Sequence, residues 1–301
     1  MRQGLSACDA VIVNYNSGAA ILDCVRSLAG DAGRVVVVDN ASTDGSLAAL
    51  EALNVANLVI IRNGANLGFS GACNIGLAAA AADAVLFINP DGRLEPGALA
   101  LMLAVLDSAP DIGMVGPLLL GLDGMEQRGG RRALPTLASG FSAGFGLTRL
   151  ARFLPGRFGD FNRNAAPLPA GPIAVEAISG GCMLTRRAAL RALGGWDEGY
   201  FLHVEDLDLC FRFGKAGYRI MFVPGARAVH AKGVSSAAIP LVVERHKHRG
   251  MIRYYRKFFA DDYPAPLIWL VGAGVWLRFA LVVARHAVKT VGSVKHKAGE
   301  P

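Results

Sequence analysis

Charged residues are scarce in this sequence, and the cysteine and glycine patterns that mark several protein classes are missing. Only 18% of the 301 residues are charged, 52% are hydrophobic, and the mean hydropathy is +0.37. The five cysteines are scattered without a Cys-x-x-Cys pair, which argues against a disulfide framework or zinc site and predicts reduced thiols in a cytoplasmic setting. No Gly-x-Gly-x-x-Gly follows the first predicted strand, which disfavours nicotinamide binding. Asp9 interrupts the short apolar stretch near the N-terminus, so no signal peptide is predicted.

The apolar composition instead comes from short β-branched runs that alternate with helical patterns. Residues 10–13, 35–38, 58–61 and 85–88 predict strands, and apolar residues at helical spacing lie between them. This alternation predicts an α/β fold with a mostly parallel, Rossmann-like sheet flanked by helices. Ligands of such sheets bind beyond the carboxyl ends of the strands. Further strands are predicted at 114–115, 175–178, 183–184, 218–223 and 228–229.

Polar residues follow these strands at the edge where a ligand would bind. Asn14, Tyr15 and Asn16 follow the first strand, and Asp39 ends the second. A carboxylate there can accept hydrogen bonds from a nucleotide base or a ribose hydroxyl, whereas turn chemistry explains the Asp-Gly that follows. Asp91 lies in the Asn-Pro-Asp-Gly after the fourth strand. It suits a divalent cation that is shared with phosphates, although the same four residues also form a common turn.

A cluster of carboxylates interrupts the apolar run from Phe201 to Arg212. Glu205, Asp206 and Asp208 fall within four residues. Charged groups among large apolar neighbours are rare unless they are paired or used, and burial can raise a carboxyl pKa into the range of a general base. The alternative is a helix start, where the macrodipole favours acidic residues.

Taken in order, these motifs resemble the family 2 glycosyltransferases with a GT-A fold, and within them the bacterial rhamnosyltransferase-like branch. The resemblance runs from about Ala10 to Ser236. It rests on Val-Asn-Tyr-Asn, Val-Asp-Asn-Ala-Ser-Thr-Asp-Gly-Ser, Asn-Leu-Gly-Phe, Asn-Pro-Asp, Gly-Gly-Cys-Met-Leu, Gly-Gly-Trp-Asp-Glu, Val-Glu-Asp-Leu-Asp-Leu-Cys-Phe-Arg and His230.

The resemblance implies a nucleotide-sugar site that holds Mg²⁺ or Mn²⁺. Asp39 would bind the nucleotide base, and Asp91 and His230 would be the metal ligands. Asn89 stands where the first Asp of the family's D-x-D motif is expected, which leaves fewer charged ligands. The remaining residues implied for the nucleotide sugar are Asn14, Tyr15, Asn16, Asn66 and Gly68.

The resemblance also implies an inverting single displacement in which a carboxylate deprotonates the acceptor hydroxyl. Asp206 would be this base, with Glu205 orienting the acceptor or the base. Asp208 and Arg212, four residues apart on a helix, predict a structural ion pair. The acceptor is expected to meet Gly180, Gly181, Trp196 and Asp197.

Residues 121–172 form an irregular segment rich in Gly, Pro, Phe and Arg. Its arginines Arg128, Arg131 and Arg132 are suited to the diphosphate of a lipid-linked acceptor. The alternative is that the segment is a mobile lid over the donor. We expect it to belong to a glycosyltransferase domain over residues 1–240.

Residues 241–301 change character and predict a helical, membrane-associating extension. His246, Arg249, Arg253 and Arg256 recur at helical spacing, and an uncharged stretch begins at residue 265. The arginines and lysine that follow this stretch favour a helix lying in the membrane interface over one crossing it. This places the protein in the cytoplasm, peripheral to the inner face of the cell membrane. The alternative is an apolar helix docked on the domain or on a second copy in a homo-oligomer; no nucleic-acid partner is predicted.

The predicted function is therefore a metal-dependent, inverting sugar transfer in cell-envelope glycan synthesis. The donor is a nucleotide-diphosphate sugar, with dTDP-rhamnose as the candidate, and the acceptor is lipid-linked or a polysaccharide. One alternative is a sugar nucleotidyltransferase, although no phosphate-cradling Gly-rich loop follows the first strand. A second alternative is a non-catalytic sugar-nucleotide-binding protein of the same fold.

Overall fold

The computed structural model describes residues 7–138, 162–164, 166–231 and 240–297. Much of the predicted segment 121–172, namely residues 139–161 and 165, therefore lies outside the described residues. The chain folds into two compact units. The described part of the first unit comprises residues 7–134, 162–164 and 166–231, and that of the second comprises 135–138 and 240–297.

The first unit is built on a mixed sheet whose first half is parallel. Strands β1 (Cys8–Asn14), β2 (Val35–Asp39), β3 (Leu58–Arg62) and β4 (Ala84–Ile88) pair in the order β3-β2-β1-β4, all parallel. Every residue of β1, β2 and β4 is buried, as expected for apolar strands covered on both faces. The carboxyl ends of these strands consequently meet at one edge.

The sheet continues with strands of mixed direction. The remaining strands are β5 (Gly92–Leu94), β6 (Ile112–Leu120), β7 (Arg131–Arg132), β8 (Ile173–Val175), β9 (Ala177–Ile178), β10 (Cys182–Arg186) and β11 (Arg219–His230). Strand β10 is antiparallel to both β4 and β6, whereas β11 runs parallel to β6 and antiparallel to β5 and β8. Strands β7 and β9 form a separate two-stranded ladder.

Helices cover the sheet and enclose an aliphatic core. In the first unit they are α1 (Ala20–Leu28), α2 (Ser46–Glu51), α3 (Gly68–Ala79), α4 (Ala98–Asp107), α5 (Arg187–Ala192) and α6 (Glu205–Lys215). Helix α3 packs on β1 and β2, α4 packs on β6 and β11, and α6 packs on β9 and β11. All five cysteines are buried and free.

The single strand predicted over residues 175–178 is wrong, because the chain changes sheets inside it. Residues up to Val175 pair with β11, whereas Ala177 and Ile178 pair with β7. Glu176, at the point of change, is exposed, and its carboxylate accepts a hydrogen bond from the Leu134 N–H at 2.9 Å. The exposed Glu176 thus separates the residues that pair with β11 from those that pair with β7.

The second unit contains α7 (Pro240–Phe259) and α8 (Ala265–Lys297), which pack against each other. The imidazole ring of His248 lies 5.3 Å from the ring of Phe279. The stretch Ala265–His286 of α8 is long and apolar enough to cross a membrane by length and composition alone.

Candidate active site

The residues predicted to bind the nucleotide form a buried polar network between β1 and β2. The Asn14 amide donates to Asp39 Oδ1 at 2.7 Å and to Ser46 Oγ at 3.0 Å. The Ser42 N–H donates to the other Asp39 oxygen at 3.1 Å. Asn14 and Asp39 are both almost fully buried, because each stands at the last position of a buried parallel strand. The network fixes the Asp39 carboxylate at the sheet edge.

Asn16 turns the chain beyond this network. Its φ of 51° lies in the left-handed region, which Asn tolerates better than most residues. Its N–H donates to Ser42 Oγ at 3.0 Å, and its side chain accepts from the Thr43 N–H at 2.8 Å. Tyr15 is 37% exposed and is therefore able to contact a ligand.

Gly68 joins the third strand's loop to the acidic cluster. It has a φ of 78°, and its N–H donates to Asn66 Oδ1 at 2.9 Å. A Cβ at Gly68 would lie 2.6 Å from the Phe201 carbonyl oxygen, which accepts from the Phe69 N–H at 2.8 Å. Only glycine meets both demands.

The candidate cation ligands Asp91 and His230 converge beyond β4 and β11. Asp91 Oδ1 lies 3.0 Å from His230 Nε2, and the Asn89 amide nitrogen lies 3.2 Å from the same ring nitrogen. On the other side of the ring, Nδ1 lies 2.9 Å from Gln127 Oε1, while Gln127 Nε2 donates to the His230 carbonyl oxygen. In the tautomer in which Nδ1 donates to Gln127 Oε1, Nε2 carries the lone pair that a metal ligand needs.

These residues fit a cation that is shared with a diphosphate. The described residues contain no group of three or more His, Cys, Asp or Glu side chains that could hold a metal by themselves. Mg²⁺ and Mn²⁺ do not need such a group, because they are commonly held by one or two protein ligands together with substrate phosphates.

The backbone is strained where the acidic cluster begins. His203 and Val204 have φ values of 68° and 77° in succession, immediately before α6. Left-handed geometry is costly for a β-branched residue such as Val204 and is typically retained where a functional group must be held in place. The strained turn starts α6 at Glu205 and presents Asp206 on its first turn.

Asp206 is held by three hydrogen-bond donors. Its Oδ2 atom lies 2.5 Å from Arg132 Nη2 and 3.1 Å from the Gly180 N, and its Oδ1 accepts from its neighbour, the Leu207 N–H, at 2.8 Å. Burial opposes ionisation of this carboxyl. The Arg132 guanidinium, the Gly180 N–H and His203 outweigh that effect and hold the pKa of Asp206 below its usual range. Asp206 is therefore a carboxylate at neutral pH.

Glu205 has the opposite electrostatic character. Burial, with a smaller contribution from the negative charge of Asp206, raises the pKa of Glu205 to about 8. Its Oε2 atom is buried without a hydrogen-bond partner among the described residues. Of the two adjacent carboxyl groups, Glu205 therefore holds its proton more tightly than Asp206 does.

Gly180 and Gly181 bring the two chemical groups together. A Cβ at Gly180 would lie 3.2 Å from Asp206 Cβ, and one at Gly181 would lie 3.3 Å from His230 Cε1. The Gly181 carbonyl oxygen also accepts from the Asn89 N–H at 3.0 Å. Bare backbone is thus in contact with both the candidate base and the candidate cation ligands.

Comparison with known proteins decides the family. Residues 9–194 match Glycosyl transferase family 2, and residues 157–287 match Glycosyl transferase family group 2. The chain is 31% identical over 288 residues to N-acetylglucosaminyl-diphospho-decaprenol L-rhamnosyltransferase of Mycobacterium tuberculosis, which covers 91% of this chain and 92% of that protein. The chain belongs to glycosyltransferase family 2.

Solved structures share the fold of this glycosyltransferase. Mannosyltransferase PcManGT from Pyrobaculum calidifontis, in complex with GDP-Man and Mn²⁺, has a TM-score of 0.57 at 19% identity, over 99% of this chain and 77% of that one. GalNAc-T7 with UDP, GalNAc and Mn²⁺ has a TM-score of 0.58 at 18% identity, over 76% of this chain and 44% of that one. The predicted GT-A fold is confirmed.

On the acceptor side, Arg131 of the glycosyltransferase requires a correction. Its guanidinium is 3% exposed, makes a two-pronged ion pair with Glu126 at 2.8 and 3.0 Å, and donates to the carbonyls of Ala166 and Pro167. With these donors engaged inside the protein, the predicted contact with an acceptor is not compatible with its placement. Arg128 is exposed, and its predicted acceptor role stays a prediction.

The other predicted acceptor residues lie around the acidic cluster. Trp196 is 2% exposed, with the rings of Phe69 and Phe87 at centroid distances of 5.5 and 5.1 Å, so its predicted contact with an acceptor is not compatible with this placement. Asp197 accepts from the Gly199 N–H at 2.9 Å in a turn. The ion pair predicted between Asp208 and Arg212 is present at 2.6 Å.

Sequence reasoning missed the way the glycosyltransferase supports its candidate base and metal ligand. Gln127 contacts His230, and Arg132 contacts Asp206 and the Ile178 carbonyl oxygen at 2.7 Å. Gln127 and Arg132 belong to one stretch of chain, and the ion pair between Glu126 and Arg131 stabilises this stretch. Residues 126–132 therefore reach the cation side and the base side of the site at once.

Proposed function

We propose that this glycosyltransferase is a metal-dependent, inverting enzyme that transfers L-rhamnose from dTDP-rhamnose to a polyprenyl-diphosphate-linked sugar. The proposal rests chiefly on one observation. An ionised carboxylate, Asp206, is separated from the candidate cation ligands by no more than the backbone of Gly180 and Gly181.

Asp39 and Asn14 would recognise the nucleotide. Their buried network points a carboxylate beyond the strand ends, where a base N–H or a ribose hydroxyl can donate to it. Tyr15, Asn16, Asn66 and Gly68 would line the same end. Because the network already fixes the orientation of the carboxylate, nucleotide binding would cost this side chain little conformational entropy.

Asp91 and His230 would hold Mg²⁺ or Mn²⁺ against the donor diphosphate, with Asn89 beside them. A bound divalent cation stabilises the negative charge of the departing nucleoside diphosphate. Gln127 would keep the His230 ring in the tautomer that leaves Nε2 unprotonated.

Asp206 would take the proton from the acceptor hydroxyl as that oxygen forms its bond to the anomeric carbon. Its depressed pKa keeps it ionised but makes it a weaker base than the raised pKa expected from burial would, and Arg132 keeps its carboxylate oriented toward Gly180. Glu205, whose raised pKa makes it the weaker acid of the pair, would act by positioning its neighbour.

The identity of donor and acceptor is inferred from the Mycobacterium tuberculosis relative. That protein is named for L-rhamnosyl transfer to an N-acetylglucosaminyl-diphospho-decaprenol. We extend this chemistry to the present chain, together with a role in cell-envelope glycan synthesis at the cytoplasmic face of the membrane. A catalytic domain over residues 1–240 and a membrane-associating extension over 241–301 accord with it.

A donor panel tests the proposal. Purified protein is incubated with a lipid-diphosphate sugar acceptor and dTDP-rhamnose, UDP-GlcNAc or GDP-mannose, with Mg²⁺, Mn²⁺ or EDTA, and nucleoside diphosphate release is measured. We expect release with dTDP-rhamnose and a cation, and none in EDTA. Release with another donor would reject the rhamnosyl assignment alone. Tight donor binding without release for any donor would favour a non-catalytic sugar-nucleotide-binding protein.

A further inference from the structure

Helix α7 carries a cavity lined by cationic side chains. Arg249, Arg253, Arg256 and Lys257 are exposed at three- and four-residue spacing, and with Ile252 and Trp276 they line a space of about 620 Å³. None of these lining residues is acidic, and all belong to the second unit. Such a cavity is electrostatically complementary to an anion, and guanidinium groups match phosphate oxygens in geometry.

The exposed face of α8 next to this cavity is apolar. Trp269 is 70% exposed, and the exposed large side chains recur at helical spacing, with the exposed Arg278 at the edge of this face between Leu277 and Leu281. They are Trp269, Leu270, Trp276, Leu277 and Leu281. Ile268, Val271 and Val275 are buried and occupy the other side of the helix. A continuous apolar face of this kind marks an interaction site, and Trp is favoured at the membrane–water boundary.

Trp276 belongs to both features, so an anion in the cavity would sit beside an apolar phase covering α8. A phospholipid combines these two features, because its phosphate headgroup is attached to hydrocarbon chains. We propose that the α7 cavity binds the phosphate headgroups of anionic lipids, while the apolar face of α8 enters the outer part of the same leaflet. Both helices then lie in the plane of the membrane.

Packing between the helices argues against α8 crossing the bilayer in this arrangement. Trp276 lies midway along the apolar stretch Ala265–His286 and shares the cavity with Arg249 and Arg253. A transmembrane α8 would carry these cations toward the hydrocarbon centre, where arginine is strongly disfavoured. An in-plane arrangement keeps them among headgroups.

This inference extends the membrane-surface location in the proposed function, and its test does not depend on sugar transfer. The full chain is floated with vesicles of phosphatidylcholine, with or without phosphatidylglycerol. We expect binding only with phosphatidylglycerol. The double variant R253Q/R256Q should bind about thirtyfold more weakly, given the usual contribution of each cation at an anionic surface. The matched control R26Q/R191Q removes the same charge from exposed sites on the first unit and should bind nearly as tightly as the wild type.

Equal losses in both double variants would mean that net charge rather than the cavity attracts the membrane, and would overturn the proposal. Leu277→Glu should also abolish flotation, and unchanged flotation of this variant would contradict insertion of α8. Inorganic pyrophosphate is titrated in parallel; binding of pyrophosphate by a chain that does not float would assign the cavity to a soluble anion instead. Circular dichroism and thermal unfolding verify that each variant is folded. Intact vesicle binding by a chain without transferase activity would reject the proposed function alone.

Discussion

Two adjacent carboxyl groups at the start of α6 have opposite protonation preferences. The Asp206 carboxylate faces Arg132 and the Gly180 N–H, whereas Glu205 is 7% exposed and lacks a compensating cation of its own. Ionising both would place two negative charges side by side in a poorly solvated site. The environment thus separates the pKa values of the pair, which is a common way of assigning different tasks to similar groups.

Asp206→Asn tests the base directly. Asparagine keeps the shape and one acceptor oxygen but cannot take a proton, so we expect transfer to fall by about 10²–10⁴-fold with nucleotide affinity retained. Calorimetric titration with dTDP and a transfer assay separate the two effects. Asp23→Asn, on the exposed face of α1, is the control and should transfer normally. Near-normal turnover by Asp206→Asn would reject the assignment.

Glu205→Gln tests the raised pKa through stability. The pKa of Glu205 is raised from 4.5 to about 8, so the folded state holds this proton more tightly than the unfolded chain. Between these values unfolding releases a proton, and the group's contribution to the free energy of unfolding therefore falls as pH rises. The variant should gain stability relative to the wild type from pH 5 to pH 8, as measured by chemical unfolding. Glu198→Gln, the same substitution at an exposed site, is measured as the control.

Arg132→Gln tests the positioning of the base. Loss of the guanidinium removes the charge that lowers the pKa of Asp206, so the acidic limb of the kcat/KM profile should move to higher pH. His203 and Glu205 also face Asp206 and remain in the variant. Arg132→Lys should restore part of the shift because it keeps the charge. A lower rate with an unmoved acidic limb would mean that Arg132 is merely structural.

At the scale of elements, the loop before α3 and the loop before α6 are locked together at Gly68. The Phe69 N–H donates a hydrogen bond to the Phe201 carbonyl oxygen. The same oxygen lies so close to Gly68 that a Cβ there would clash with it. The nucleotide side of the sheet and the acidic helix are therefore joined through backbone rather than through adjustable side chains.

Gly68→Ala measures this junction, and Gly97→Ala is its matched control. The two glycines have φ values of 78° and 79°, but a Cβ at Gly97 meets nothing within 4 Å. Left-handed strain alone should cost Gly97→Ala about 1–2 kcal/mol in the free energy of unfolding. Gly68→Ala should lose more, and it should also lose transfer activity. Equal losses in urea unfolding would show that the contact with Phe201 is unimportant.

The sequence predicted the elements whose signal is local. Parallel strands are buried on both faces, so β1, β2 and β4 read as unbroken apolar runs, and the polar residues that end them follow directly. Asn14, Asp39 and Asp91 could be nominated for that reason. The acceptor-binding roles could not be predicted from strand ends in this way. Arg131, predicted to bind the acceptor, is instead buried and paired with Glu126.

Gln127 and Arg132 lie in a stretch without periodicity. Their partners His230 and Asp206 are 103 and 74 residues away along the chain. A single sequence does not indicate which of several neighbouring arginines faces inward. Arg131 and Arg132 form a two-residue strand, and they differ in which face of that strand they occupy. Contacts this distant emerge only once the fold is assembled.

At the scale of the whole molecule, the proposed site offers few protein ligands, so we predict that cation binding and nucleotide binding are linked. Asp91 and His230 alone offer few donors, so Mn²⁺ without nucleotide should raise the melting temperature little. Mn²⁺ with dTDP should raise it by more than the two separate shifts combined, because each ligand completes the site of the other. His230→Ala should remove this excess while the shift from dTDP alone persists. Additive shifts in the wild type would contradict a shared site.

The Gly180–Gly181 pair also limits how this enzyme can diversify. A Cβ at Gly180 would lie 3.2 Å from Asp206 Cβ and one at Gly181 would lie 3.3 Å from His230 Cε1, so a substitution at either position requires the candidate base or the candidate metal ligand to shift. New donors or acceptors must then be accommodated at the rim, through Tyr15 or the surroundings of Arg128. Libraries that seek altered sugar preference should leave the glycine pair constant and randomise that rim.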